Sequence, residues 1–429
     1  MRLAVLSFHT CPLAALGGKE TGGMNVYLRE ACSRLAHLGV QVDVFTRSQD
    51  PLVPRKVELA PGVNVHHVPA GPQTPCPKYR LVDYVEEFVK GIHELACEPY
   101  DLIYSHYWLS GMAGLSLRAH WGIPMVHMFH TMGWIKNMVA RSRSEQEQEI
   151  RLFWEEEVAR QADALVAPHP LERAQLVWHY KACPARIRVI PCGVDTSVFK
   201  PMNRWQSQRA LGLDNRPWLI FVGRLDPIKG LDTLLKAMAL LKEKKSSSKP
   251  LPSLMVVGGP PWENPLKPPR EISEIYQEVR SLDIQDLVHL AGPQPQYRLP
   301  MYYNASTACV LPSRYESFGL AALEAMACGV PVVASRVGGL SYTVLDGRTG
   351  VLVPEGDPRI LAHTIQELLE SPMWRAHLGA EAARRARCFS WSMVVRELIA
   401  FFREVVQQAK GLPQVVGDSN TLSISPSSS

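Results

Sequence analysis

Twice over, this chain alternates short apolar runs with helix-length segments, and few folds accept such a pattern. In the first round the strand-like runs fall at 3–8, 41–46, 66–68, 102–105, 125–128 and 164–167, with helical stretches at 24–38 and 81–98 between them. The second round has runs at 218–222, 253–257, 288–290, 308–311 and 332–334. Strands separated by helices pair in parallel and are covered on both faces. At 429 residues the chain is too long for one ordinary core, so two doubly wound α/β domains are expected. The division falls after a strand at 188–191, giving a first domain over 1–195 and a second over 196–388.

The second domain carries the densest chemistry. Glu316-Ser317-Phe318-Gly319 leads into an Ala-rich apolar run that Gly329 closes, and Glu324 lies inside that run. The run reads as a short helix whose first backbone N–H groups stay free, a setting that suits anionic or hydroxyl-rich ligands. Upstream, Gly223-Arg224-Leu225-Asp226-Pro227-Ile228-Lys229-Gly230 follows the run at 218–222. Arg224 and Lys229 therefore leave the carboxyl end of a strand, where open parallel sheets bind ligands. A planar guanidinium beside a mobile ammonium matches a diphosphate. Taken singly, such an Arg and Lys are more often solvated loop charges, and Glu324 alone reads equally as a helix-surface pairing residue.

Together these segments resemble the nucleotide-sugar-dependent glycosyltransferases of family 4, which have the GT-B architecture of two facing Rossmann-like domains. The likeness runs nearly end to end. Gly17-Gly18-Lys19-Glu20-Thr21-Gly22-Gly23-Met24-Asn25-Val26-Tyr27 looks like the family's glycine-rich loop, and Asp101 to Trp108 like its acceptor-side strand and loop. His127-Met128-Phe129-His130-Thr131 and Ile190-Pro191-Cys192-Gly193-Val194-Asp195 also fit, the latter leading into the second domain. Residues 389–411 resemble the family's terminal helix, which crosses back onto the first domain. Two segments depart from the pattern: the Pro-rich stretch at 258–265 and Ala305-Ser306-Thr307, where an acidic residue is usual.

The resemblance implies retaining transfer of a hexosyl unit from a nucleotide diphosphate sugar, UDP-linked, to a hydroxyl of a small acceptor. On that basis Arg224, Lys229, His130 and Glu316 are the catalytic candidates. The donor would be held by Gly22, Gly23, Arg224, Lys229, Gln296, Glu316, Phe318, Gly319, Leu320 and Glu324. Glu324 would accept from the ribose hydroxyls, Glu316 with the backbone N–H groups of Phe318, Gly319 and Leu320 would meet the sugar, and backbone near Gln296 would hold the base. From its own neighbours, His130 reads equally as a core histidine at an apolar strand end. No residue is an obvious covalent nucleophile, and the family view lets the leaving phosphate oxygen take the acceptor proton.

Asn25, Lys78, Tyr107, Thr131 and Arg151 align with acceptor positions in the branch that glycosylates inositol phosphate, and sucrose-phosphate synthases have a comparable basic pocket. Two cations and two hydroxyls match a phosphate monoester. Arg151 equally reads as the i, i+4 partner of Glu155. A lipid or polysaccharide acceptor, or a catalytically silent nucleotide-sugar-binding protein, stays open. A silent relative would have lost some of Arg224, Lys229, Glu316 and Glu324, and all four are present.

The remaining expectations are exclusions. No Asp-x-Asp cradle lies where the diphosphate would bind, so no metal and no cofactor is expected. A net charge of +5 without a basic, aromatic-interleaved run excludes nucleic acid as partner. No apolar stretch is long enough for a transmembrane helix, while peripheral membrane contact and a homodimer stay open. Nine cysteines without a C-x-x-C pair fit reduced thiols in a cytoplasm. The tail at 412–429 reads as disordered, and the Lys- and Ser-rich stretch at 242–252 as flexible surface.

Overall fold

The computed structural model describes residues 1–15, 21–96, 98–244, 251–262 and 267–411. The tail at 412–429, residues 17–20 of the glycine-rich loop, part of the 242–252 stretch and part of the Pro-rich segment after Gly258 lie outside the described residues.

The first sheet contains β1 (Arg2–Leu6), β2 (Gln41–Arg47), β3 (Lys56–Ala60), β4 (Val63–Val68), β5 (Leu102–His106), β6 (Met125–Met128), β7 (Ala164–Ala167) and β8 (Ile187–Val189). Its order is β3-β4-β2-β1-β5-β6-β7-β8, parallel except for β3, which pairs antiparallel with β4 at the edge. The second sheet contains β9 (Trp218–Val222), β10 (Ser253–Val257), β11 (Val288–Gly292), β12 (Ala308–Leu311), β13 (Val332–Ser335) and β14 (Gly350–Val353), in the order β11-β10-β9-β12-β13-β14. All its pairings are parallel. Central strands such as β5, β6, β10 and β12 are buried at every position, as expected where helices cover both faces. The strand order reverses between β1 and β5 and between β9 and β12, which opens a crevice at the carboxyl end of each sheet.

Several elements differ from the sequence reading. The 81–98 stretch is a 3-10 turn, Lys78–Tyr84, followed by a helix over Val85–Leu95. The strand expected at 188–191 is shorter, Ile187–Val189, and β3 and β14 were not anticipated.

The terminal helix Trp391–Ala409 packs on the first lobe: Trp391 meets Tyr27 at 5.4 Å between ring centroids, and Phe402 meets Tyr104 at 4.9 Å. The chain thus crosses between lobes twice, side by side. Val194 N–H donates to Phe389 O at 2.8 Å and Trp391 N–H to Val194 O at 3.3 Å. Gly193 permits this approach, because a Cβ there would lie 2.4 Å from the Trp391 ring. Among the described residues no helix is long and apolar enough to cross a membrane.

Candidate active site

The carboxyl ends of the two sheets face each other across a cleft holding a cavity of about 340 Å³. From the first lobe it receives the loop after β1, Tyr107 after β5, and His130 and Thr131 after β6. The second lobe contributes the segments after β9, β10, β11 and β12. Every expected site residue except Gln296 lines this cavity. Gln296 lies in a neighbouring depression, whose lining shares Pro293 and Gln294 with the cleft. β11 ends at Gly292, so Pro293 and Gln294 are the first loop residues after it, whereas Gln296 opens the 3-10 turn Gln296–Arg298 further on.

Two helix N-termini meet here. The helix Gly23–His37 begins at the glycine loop and the helix Leu320–Ala327 begins at Gly319. A Cβ on Gly23 would sit 3.3 Å from Leu320 Cδ1, so the two ends lie close across the cleft. Both present unsatisfied N–H groups and the positive end of a helix dipole, favouring an anion between them. Asn25 lines the cleft, but its amide hydrogens go to Thr10 Oγ1 at 2.9 Å and Cys11 O at 2.8 Å, while its Oδ1 accepts from Gly22 N–H at 3.0 Å. Its amide therefore shapes the glycine loop and has no hydrogen left to give an acceptor.

The Asp226-Pro227-Ile228-Lys229-Gly230 turn explains how the cations are placed. Asp226 Oδ1 caps Ile228 N–H at 3.1 Å, Pro227 opens a 3-10 turn, and Gly230 closes it at φ 69°. A side chain on Gly230 would strike Pro312 O at 2.0 Å. Lys229 Nζ reaches Glu316 Oε2 at 2.5 Å, and Arg224 pairs with Asp226 at 3.4 Å while its side chain lies against Gly22.

Glu324 projects from the Leu320–Ala327 helix and accepts from Tyr303 O–H at 2.8 Å. Burial pushes its pKa up to about 7, against the lowering effect of that hydrogen bond. His130 Nε2 and His106 Nδ1 share a hydrogen bond of 2.8 Å, and burial pulls the His130 pKa down to about 3. That imidazole is neutral at every ordinary pH. His130 and Tyr107 both hold left-handed backbone, φ 61° and 73°. Such conformations in non-glycine residues cost about 1–3 kcal/mol each and cluster at functional sites.

On the first lobe, Arg151 organises a compact polar group. It donates to Glu155 Oε1 at 2.7 Å, Tyr107 Oη at 3.1 Å, Thr131 O at 3.0 Å and Thr131 Oγ1 at 3.1 Å, and pairs with Glu147 at 2.9 Å. The pairing with Glu155 and the approach to Tyr107 and Thr131 are thus both present. Lys136, which the sequence reading missed, pairs with Glu147 beside this group and lines the cleft, as does His9. Burial raises the Glu147 carboxyl, but Arg151 and Lys136 outweigh it and bring the pKa to about 2. Lys78 lies 5.9 Å from the Tyr107 ring centroid, on the same wall. Lys136 stands five residues beyond Thr131, and a cation that near an acceptor-side strand end was the signal available for finding it.

Two parallel-sheet lobes clasping a cleft lined by cations, carboxylates and helix N-termini define a GT-B glycosyltransferase. The Glycosyltransferase Family 4 model matches residues 21–198, and the Glycosyl transferases group 1 model matches residues 203–385. A D-inositol 3-phosphate glycosyltransferase of Thermobifida fusca is 41% identical over 414 residues, covering 95% of this chain and 94% of that protein. Its namesake from Nocardiopsis dassonvillei is 42% identical over 407 residues, 94% of each chain. Among solved structures, sucrose-phosphate synthase from Thermosynechococcus elongatus superposes with a TM-score of 0.87 at 35% identity, covering 95% of this chain and 99% of that one. The chain belongs to glycosyltransferase family 4.

Proposed function

We propose that this enzyme transfers a hexosyl unit, with retention of anomeric configuration and without a metal, from a UDP-sugar to a hydroxyl of a small phosphorylated sugar or cyclitol. The observation that carries the reading is the convergence of Arg224, Lys229 and two helix N-termini on one edge of the cleft, with Glu316 and Glu324 beside them. Departure of a diphosphate places negative charge on that edge, and preorganised cations and N–H groups stabilise it most in the transition state. Neutral His130 lines the cleft from the first lobe and carries no charge. The leaving phosphate oxygen takes the proton of the attacking hydroxyl as the new glycosidic bond forms on the same face.

The acceptor assignment is supported by the wall of Lys78, Lys136, Tyr107 and Thr131 around Arg151. The names of the relatives point the same way, to inositol phosphate and to sucrose phosphate. The test crosses a panel of nucleotide sugars with phosphorylated and neutral acceptors, scores released nucleotide, and repeats the best pair after exhaustive EDTA treatment. Product anomers read by NMR decide retention. Transfer only to neutral acceptors, or activity abolished by EDTA and restored by magnesium, would refute the corresponding part.

A further inference from the structure

The loop that carries Glu316 is gripped from the other lobe. Arg314 Nη1 donates to Val139 O at 3.2 Å and to Glu145 Oε2 at 2.9 Å, and Met132 N–H donates to Tyr315 Oη at 3.3 Å. Two more contacts, one of them the shortest of the set, come from the start of the helix Pro170–Tyr180, which follows β7. His169 caps that helix, its Nδ1 accepting from Glu172 N–H at 3.0 Å. The proton therefore sits on Nε2, which donates to Ser317 O at 2.6 Å. Glu172 Oε2 accepts from Ser317 Oγ at 3.0 Å. Both first-lobe side chains are buried, and among the described residues Glu172 Oε1 has no hydrogen-bond partner. A buried carboxyl with an orphaned oxygen is an expensive way to start a helix, and an ordinary cap requires neither that nor a hydrogen bond to another lobe.

We propose that His169 and Glu172 are positioning residues, a two-bond latch that fixes the Ser317 loop against the first lobe and thereby holds Glu316 in place when the lobes are closed. The inference rests on the reading of Glu316 as a donor-sugar residue. It adds that first-lobe groups which touch no substrate set the geometry of the second-lobe sugar site. Burial supports the arrangement by keeping Glu172 a neutral acid, its pKa pushed up to about 8, and keeping His169 neutral, its pKa pulled down to about 4.

Three variants separate a latch from a merely structural role. His169→Asn keeps a good helix cap but removes the Nε2 donor to Ser317. Ser317→Ala removes the hydroxyl, and Glu172→Gln retains an acceptor oxygen and the side-chain volume. Hydrogen exchange of the 314–319 backbone in the ligand-free protein is the first measurement, with about fivefold to tenfold faster exchange expected in His169→Asn and Ser317→Ala and little change in Glu172→Gln. The second compares UDP affinity with kcat. UDP Kd is expected within about threefold of wild type, while kcat falls about tenfold or more in the first two variants. Unchanged exchange in those variants overturns the latch, and so does an equal loss of activity in all three that tracks thermal stability. Failure of wild type to bind UDP would count against the proposed function alone, since the exchange measurement needs no ligand.

Discussion

Lys229 Nζ lies 2.5 Å from Glu316 Oε2, each about one-fifth exposed and each delivered by the loop that follows one of two adjacent strands, β9 and β12. The cation assigned to the diphosphate and the carboxylate assigned to the sugar thus hold one another at the centre of the cleft. Removing either leaves the other displaced as well as unpaired. Lys229→Ala and Glu316→Gln are each expected to lower kcat by about 10²–10³, the usual effect of losing one preorganised group at a developing charge. The double variant should lose less than the product of the two. Stability should change by only about 1 kcal/mol, because a pair that stays open to the solvent of the cleft contributes little. Steady-state transfer rates beside thermal melts check this, and a Lys229→Ala protein turning over at the wild-type rate refutes the assignment.

Arg151 leads to a different expectation. Its guanidinium is about 1% exposed and faces two carboxylates, one of them, Glu155, fully buried. Arg151→Ala would strand those charges and is expected to destabilise the protein by about 3–5 kcal/mol, whatever the acceptor. It is therefore a poor probe of the acceptor pocket. Lys78→Ala should leave the melting temperature in place and raise KM about tenfold or more for a phosphorylated acceptor, with little effect on a neutral one. Equal effects on both acceptors would remove the phosphate from the pocket.

Much of this site was legible because its signals are local. Arg224 and Lys229 share one turn whose Asp, Pro and Gly each have a physical duty, and Glu316 and Glu324 lie within nine residues of each other, on either side of a helix start. Most strands announced themselves as short apolar runs. The edge strand β3, with Lys56 and Glu58 exposed, carries no such run, and the four-residue β14 resembles an apolar loop after a turn. What sequence could not supply was pairing at long range. The hydroxyl that Glu324 accepts from lies 21 residues upstream, His106 and His130 are 24 residues apart, and His169 meets Ser317 across 148 residues. Periodicity and spacing record which face a residue occupies in its own element. They do not record which element lies opposite.

Glu324 supplies a pH dependence whose sign is fixed by its surroundings. Burial raises its pKa to about 7, so it is protonated below that pH and charged above it. Ribose hydroxyls donate to the charged form more strongly, so nucleotide affinity should rise with pH between 6 and 8. The terminal phosphate of UDP titrates in the same range, and Glu324→Gln removes the protein's share. Calorimetric titration with UDP at pH 6 and pH 8 is expected to show a pH ratio about threefold to tenfold larger in wild type than in Glu324→Gln. Identical ratios would mean that Glu324 does not meet the ribose as an anion.

Glu172 sets the opposite slope for stability. Its pKa stands at about 8 in the folded chain, raised by burial, against an ordinary value of 4.5. Between those two values the folded protein keeps a proton that the unfolded chain has released. Stability from this group is therefore fully present below about pH 4.5 and is lost progressively as pH rises towards 8, where the loss amounts to a few kcal/mol by linkage. Ser317 lowers this pKa through its hydrogen bond and Glu155 raises it through charge. Glu172→Gln cannot titrate. Its effect on the melting temperature, taken relative to wild type, should shift steadily in the stabilising direction from pH 5 to pH 8, whatever constant offset the amide introduces. Thermal unfolding at three pH values measures it, and a difference that stays flat across that range would place a charged carboxylate at Glu172 in the folded protein.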